Sequence, residues 1–129
     1  MILLAALSLT ATDLDTLDAA VERCARAEVN PVFAQQAQRQ SQFMTDAYRE
    51  QEAIVAERLD IANRKRTLRE AGVSAVKGGD SLTTLDLHAA ATEDRQRALN
   101  DKRLLESLRS DAMDAKRRYY LAHCANGKE

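Results

Sequence analysis

The sequence predicts an all-α protein: a long antiparallel two-helix coiled-coil hairpin with a short N-terminal helix. Its 129 residues include one Pro and no Trp, and they are rich in Ala, Leu, Arg, Glu and Gln, which are strong helix formers. Three of the four glycines lie within residues 72–81, between two long segments that contain no helix breaker. Because a short turn between two long helices leaves them side by side, we expect these segments to run antiparallel.

Size and composition indicate a single thin domain, which we place at residues 12–129. Aromatic residues make up 4% of the chain and charged residues 30%. Contact between helices is therefore favoured over a thick core, which needs large buried side chains. With 19 basic and 20 acidic residues, the formal net charge is −1, which is not typical of a nucleic-acid-binding domain.

Residues 1–11 have the apolar character of a signal peptide. The apolar run at residues 2–9 is too short to span a bilayer, which needs about 20 residues, and no basic residue precedes it. We expect this segment to direct export, after which the mature chain begins near Thr12 in an oxidising compartment. The alternative is an apolar N-terminal extension that packs against the helices.

The short first helix is predicted over residues 13–29, with Thr12 as its N-cap. Its apolar seam recurs at steps of three and four residues, at Leu14, Leu17, Val21 and Cys24. Asn30-Pro31 then predicts a helix break, because Asn is a good N-cap and Pro a good first helical residue. Whether the first helix folds back there or runs on is left open by the sequence.

The two long helices are predicted over residues 31–71 or 31–77 and over residues 82–125. The tip between them is residues 72–81, where Gly72, Gly78, Gly79 and Asp80 form the turn and Ser81 or Thr83 caps the next helix. The second helix carries an interrupted apolar stripe, which includes Phe33, Met44, Ala47 or Tyr48, Ile54 or Val55, Leu59 and Leu68. The third helix shows a heptad repeat through Leu87, Ala98, Leu105, Leu108, Ala112 and Tyr119.

Polar residues fall on the predicted seam between the long helices. Asp94 and Asp101 are expected to face Arg58 across the hairpin and to set its register. Gln40 and Gln51 also lie on the seam. A hairpin with so polar a seam is marginally stable, so we expect the first helix to pack on its open end, a homo-oligomer to cover it, or both.

The two cysteines are the most informative pair in the sequence. Antiparallel pairing about the tip places Cys24 and Cys124 at the open end of the hairpin, where a modest bend brings their Cα atoms within disulfide range. The bond would close about 100 residues and contribute about 2–4 kcal/mol. The alternative is two free thiols that serve as small apolar residues in a cytosolic protein.

No residue pattern predicts catalysis, a cofactor or a metal. His123 and Cys124 are neighbours, which point in different directions on a helix, and no metal-binding spacing is present. A two-helix hairpin also offers no pocket for an active site. Two basic clusters lie at residues 64–66 and 116–118, and they provide a third interpretation, nucleic-acid or anionic-membrane binding. The acidic residues interspersed along the same helices argue against it.

The sequence therefore favours a non-catalytic coiled-coil protein of interaction or holdase type, exported to the periplasm or secreted. It would bind a protein partner or associate with itself. The alternative is a cytosolic coiled-coil adaptor or scaffold of a secretion or motor assembly, with free cysteines and residues 1–12 as part of the fold.

Overall fold

A computed structural model describes residues 11–72 and 79–125, with side chains from residue 14 onward. It contains helix α1 (Ala11–Glu22), helix α2 (Arg26–Ala71) and helix α3 (Leu82–His123). The described residues include no β-strand, so the all-α prediction is confirmed for them. The predicted leader lies outside the described residues apart from Ala11, and so does the turn residue Gly78.

The helix break predicted at Asn30-Pro31 does not occur. Helix α1 ends earlier, at Glu22, and α2 begins at Arg26 and continues through Pro31. Because proline has no N–H to donate, α2 lacks the main-chain hydrogen bond that residue 31 would make to the carbonyl oxygen of residue 27, in the second turn of the helix. The reversal between α1 and α2 lies instead at residues 23–25, which contain neither Gly nor Pro.

The ends of α2 and α3 that flank the glycine-rich segment agree with the predicted tip. Gly72 and Gly79 have φ angles of 107° and 83°, a backbone conformation that favours glycine. Ser81 caps α3, because its Oγ accepts a hydrogen bond from the main-chain N–H of Thr84 at 3.1 Å. Helix α3 ends at His123, two residues before the predicted end.

The chain divides into two compact units. Unit 1 comprises Met1–Gln40 and Leu108–Glu129, and unit 2 comprises Ser41–Ser107. Unit 1 therefore contains α1, the beginning of α2 and the end of α3, whereas unit 2 contains the remaining parts of α2 and α3.

The core of unit 1 is formed by all three helices. Phe33 of α2 lies against Tyr120 of α3, with ring centroids 6.1 Å apart. Each large apolar side chain that is fully buried contributes about 1.5–3 kcal/mol relative to exposure, so this cluster anchors α1 on the other two helices. The buried members of the cluster are Leu17, Ala20, Val21, Val29, Met113 and Tyr120.

Unit 2 has a thinner core made by α2 and α3 alone. Ile61, Leu68 and Leu85 form its apolar cluster, and Leu82 and Ala89 pack against it. Ion pairs connect the same two helices at Glu50–Arg95, Arg58–Glu93 and Lys65–Asp86. Both ion pairs and apolar packing therefore join α2 to α3 in unit 2.

The buried residues of α3 are displaced by one position in the sequence from the residues of the predicted heptad. In unit 2 it consists of Leu85, Thr92, Leu99 and Glu106, whereas the predicted seam residues Leu87 and Leu105 are each 67% exposed. Two of the buried residues are polar, so the apolar pattern alone points to the wrong face. Thr92 is accommodated because its hydroxyl donates to the main-chain oxygen of His88 at 2.9 Å.

Candidate functional site

The turn between α1 and α2 places Cys24 in a strained conformation. Cys24 has a φ angle of 52°, which is uncommon for a residue other than glycine. Its N–H donates to Val21 O at 3.0 Å, and the N–H of Ala25 donates to Ala20 O at 2.9 Å. These two bonds form a Schellman motif, in which the left-handed residue is usually glycine.

Cys24 and Cys124 form a disulfide, consistent with the predicted pairing. Their sulfurs are 2.02 Å apart, their Cα atoms are 5.8 Å apart, and 100 residues separate them in sequence. Cys24 is buried and Cys124 is half-buried. The bond joins the α1–α2 turn to the residue that follows α3, so it fastens the three helix ends of unit 1 together.

Polar contacts between α1 and α3 surround this disulfide. Asp18 forms an ion pair with Lys116, and the Tyr119 hydroxyl donates to Glu22 Oε1 at 2.7 Å. The Glu22 carboxylate accepts this hydrogen bond only from the neutral phenol, so the contact raises the pKa of Tyr119 above its ordinary value. These contacts fix the last turns of α3 against α1.

His123 lies beside the disulfide and is held by two neighbours. Its Nε2 is 3.2 Å from the main-chain oxygen of Glu22 and 3.6 Å from the Glu22 carboxylate. Its ring stacks on Tyr119, with centroids 5.1 Å apart and planes 12° from parallel. The orientation of the imidazole is therefore set by contacts on two sides.

The donor atoms of Cys24, His123 and Cys124 converge within 4.8 Å of one another. Sequence reasoning rejected such a cluster because neighbours on a helix point apart. The three donor atoms nevertheless meet, because the disulfide brings the Cys24 sulfur to Cys124 at the C-terminal end of α3, where His123 is the last helical residue. Within the described residues this is the one group of three or more such side chains close enough to hold a metal ion.

An open groove adjoins the buried cysteine. Its volume is about 700 Å³, and it lies against the α1–α2 turn and the first turns of α2. Asn30 and Pro31, which were predicted to break the helix, form part of its wall instead. The groove is lined by Arg23, Cys24, Ala25, Arg26, Ala27, Asn30 and Pro31.

The polar residues predicted to set the register do not meet. Arg58 pairs with Glu93, with Nε 2.9 Å from Oε1, and Asp94 pairs with Arg97 on its own helix. Asp101 is exposed. The physical reason is the shifted face of α3, because the buried face at Thr92 and Leu99 turns Asp94 and Asp101 away from α2.

The predicted turn residue Asp80 and the basic clusters form ion pairs in the structure. Arg64 binds Asp80, with Nε 2.7 Å from Oδ2, and the adjacent guanidinium holds the pKa of Asp80 below its ordinary value. Lys65 Nζ is 2.5 Å from Asp86 Oδ1. Each of these contacts uses a basic group of the cluster at residues 64–66, which the sequence presents as a candidate for binding nucleic acid or an anionic membrane.

The second notable surface is an apolar stripe on α2 within unit 2. Met44, Tyr48, Val55 and Leu59 are 63%, 69%, 44% and 62% exposed. At 3.6 residues per turn, these four side chains lie within about 60° of one another around the helix axis. We call this surface the α2 stripe. The sequence places Met44 and Leu59 on the predicted seam and gives Tyr48 and Val55 as alternatives to Ala47 and Ile54, but the exposure of these four residues differs from that expectation.

Comparison with known protein families, with curated proteins and with solved structures finds no match to this chain. Within the described residues, no helix is both long and apolar enough to cross a membrane.

Proposed function

We propose that this protein is a non-catalytic, exported holdase-type protein that binds incompletely folded chains on the α2 stripe. The observation that carries the proposal is the exposure of Met44, Tyr48, Val55 and Leu59 on one face of α2. Contiguous exposed apolar surface in a soluble protein commonly marks an interaction site. The occupant we expect is an apolar segment of another protein chain.

The character of the α2 stripe favours an unfolded client over a single matched partner. Met44 is flexible and Tyr48 combines an apolar ring with a polar tip, properties that let a surface adapt to different sequences. Arg49 and Glu52, which lie between Tyr48 and Val55 in sequence, are both exposed and opposite in charge, so this segment selects neither acidic nor basic clients. Adaptable surfaces of this kind are typical of promiscuous binding proteins.

The scaffold we propose for the stripe is the antiparallel coiled-coil hairpin predicted from the sequence. Contacts within unit 2 support it, because Glu50, Arg58 and Lys65 of α2 pair in turn with residues 95, 93 and 86 of α3. Residue numbers rise along one helix while they fall along the other. A thin hairpin of this kind has too little interior to bury the α2 stripe itself.

Location in the periplasm or outside the cell is supported by the disulfide. Disulfides persist in oxidising compartments and are rare in the cytosol, and Cys24 and Cys124 are joined. Amino-terminal sequencing and a thiol count of the natively expressed protein test this part of the proposal. An intact Met1 together with two free thiols would instead favour the cytosolic adaptor.

Client binding is tested by light scattering from citrate synthase that has been denatured and then diluted into buffer with the non-reduced protein. We expect the wild-type protein to lower the scattering, and a Val55→Thr/Leu59→Gln variant to lower it much less. Leu121→Gln is the matched control, because Leu121 is 58% exposed and lies in unit 1, outside the stripe. Equal scattering with and without the wild-type protein would contradict the proposal.

The mass of the protein in solution provides a second check on the occupant. A monomer at the assay concentration agrees with a stripe that is free to receive a client. A dimer that becomes a monomer in the Val55→Thr/Leu59→Gln variant would show that a second copy covers the stripe, and it would overturn the holdase proposal.

A further inference from the structure

We propose that reduction of the Cys24–Cys124 disulfide creates a Zn²⁺ site formed by Cys24, Cys124 and His123. The site lies in unit 1 and is independent of client binding on the α2 stripe. In the oxidised protein the two sulfurs are bonded to each other and are not thiolate ligands. The same three helix ends are therefore joined by a covalent bond in the oxidised protein and by a metal ion in the reduced protein.

The separations of the donor atoms suit a tetrahedral metal. The two sulfurs and an imidazole nitrogen already lie within 4.8 Å of one another. With Zn–S bonds of about 2.3 Å and a Zn–N bond of about 2.0 Å, donors in a tetrahedral site lie about 3.5–3.8 Å apart. Side-chain rotation can provide these separations, since the Cα atoms of the cysteines are 5.8 Å apart.

The imidazole of His123 is already oriented by contacts typical of a metal ligand. When Nε2 carries the proton, it donates to the main-chain oxygen of Glu22, 3.2 Å away, and in the proposed site Nδ1 is then the nitrogen that binds the metal. A carbonyl that accepts from the other ring nitrogen is the usual support of a metal-bound histidine. The stacked ring of Tyr119 restricts the remaining rotation.

The backbone holds Cys24 in place after the disulfide is broken. The main-chain hydrogen bonds from Cys24 to Val21 and from Ala25 to Ala20 do not involve the sulfurs. The neighbouring core residues Val21 and Val29 are buried, so apolar packing also keeps the α1–α2 turn against α3. The three ligands are therefore brought together by the fold and not by the metal alone.

The chemistry balances with a water-soluble phosphine as the reductant. The S–S bond breaks, and the phosphine takes up the oxygen of one water molecule to become a phosphine oxide. The two hydrogens of that water molecule go to the two sulfurs, which become thiols. Zn²⁺ then displaces both thiol protons to solvent and forms two Zn–S bonds and one Zn–N bond. Water occupies the fourth position, as in zinc sites with three protein ligands.

The test is titration of the phosphine-reduced protein with Co²⁺ as a spectroscopic substitute, followed by displacement with Zn²⁺. We expect one metal per chain, with the thiolate-to-cobalt charge-transfer band and intense d–d absorption of a tetrahedral site. The oxidised protein should show neither signal. His123→Ala should weaken binding about tenfold or more, and His88→Ala, at an exposed position of α3, should leave it unchanged.

Three results would overturn the proposal. The first is that the reduced protein binds the metal as weakly as the oxidised protein does. The second is that His123→Ala binds the metal with wild-type affinity, and the third is a stoichiometry of one metal per two chains. Circular dichroism of the reduced protein and of His123→Ala shows whether both retain their helices. If His123→Ala loses helix content, His123→Gln replaces it, because Gln keeps a donor for the Glu22 oxygen and supplies no imidazole. Wild-type affinity in His123→Gln would overturn the site.

Discussion

Gln51 of α2 and Gln96 of α3 exchange two side-chain hydrogen bonds, with Nε2-to-Oε1 distances of 2.7 and 2.9 Å. Gln96 also donates to Asn100 at 3.0 Å. Both side chains are half-buried, so water has limited access to them. Each amide therefore provides the hydrogen-bond partners that water would otherwise supply to the other. A reciprocal pair of this kind favours one alignment of the two helices over its neighbours.

Replacing one member of this pair should cost more than replacing both. Gln51→Leu or Gln96→Leu leaves the remaining amide partly unsatisfied, and each should lower the free energy of unfolding by about 1 kcal/mol. The double variant should recover most of that loss, because two leucines pack against each other. Urea unfolding of the four proteins measures the coupling, and additive losses would contradict the reciprocal role.

Reduction of the disulfide should destabilise the protein without metal. Restoring the freedom of a 100-residue loop in the unfolded chain should lower the free energy of unfolding by about 2–4 kcal/mol. The measurement is urea unfolding with and without a phosphine, in the presence of a chelator. The Cys24→Ala/Cys124→Ala variant is the control, and its stability should not respond to the phosphine.

Glycine should be better than alanine at position 24 once the disulfide is absent. The φ angle of 52° costs a side-chain-bearing residue about 1 kcal/mol, whereas glycine adopts it freely. Cys24→Gly/Cys124→Ala should therefore be more stable than Cys24→Ala/Cys124→Ala by about 1 kcal/mol from the relief of strain. The greater freedom of glycine in the unfolded chain opposes this gain and reduces it. Thermal unfolding of the two variants compares them, and a more stable alanine variant would show that no strain is stored there.

The Arg64–Asp80 ion pair should make stability depend on acidic pH. The guanidinium lowers the pKa of Asp80 below 3.8 in the folded protein. A carboxyl with a lowered folded pKa contributes stability above its unfolded pKa, and this contribution is lost as the pH falls through the folded value. Asp80→Asn should therefore be less stable than wild type at neutral pH, and the difference should shrink below pH 3.8. A difference that is constant from neutral to acidic pH would contradict this.

Local sequence signals predict the elements of the fold well. The composition gives the all-α class, the glycines at 72 and 79 take the positive φ angles of a turn, and Ser81 caps the helix that follows. The placement of the cysteines at matching ends agrees with their pairing. Each of these features depends on the residue itself or on a few neighbours in sequence.

The features that sequence reasoning missed depend on contacts distant in sequence or on strain. A cysteine occupies the left-handed position of the α1–α2 turn, so no glycine marks it. The face of α3 that contacts α2 includes Thr92 and Glu106, which an apolar pattern cannot select. The convergence of His123 with both cysteines depends on the disulfide, which joins residues 100 positions apart in sequence.

The long covalent loop has a consequence for how the protein withstands proteolysis. Because 100 residues separate Cys24 from Cys124, a single cut anywhere between them leaves two fragments that remain one molecule. Such a nicked protein would keep its mass on a non-reducing gel, and the fragments would separate only after reduction. In an oxidising environment that contains proteases, the disulfide therefore preserves the integrity of the chain as well as the packing of unit 1.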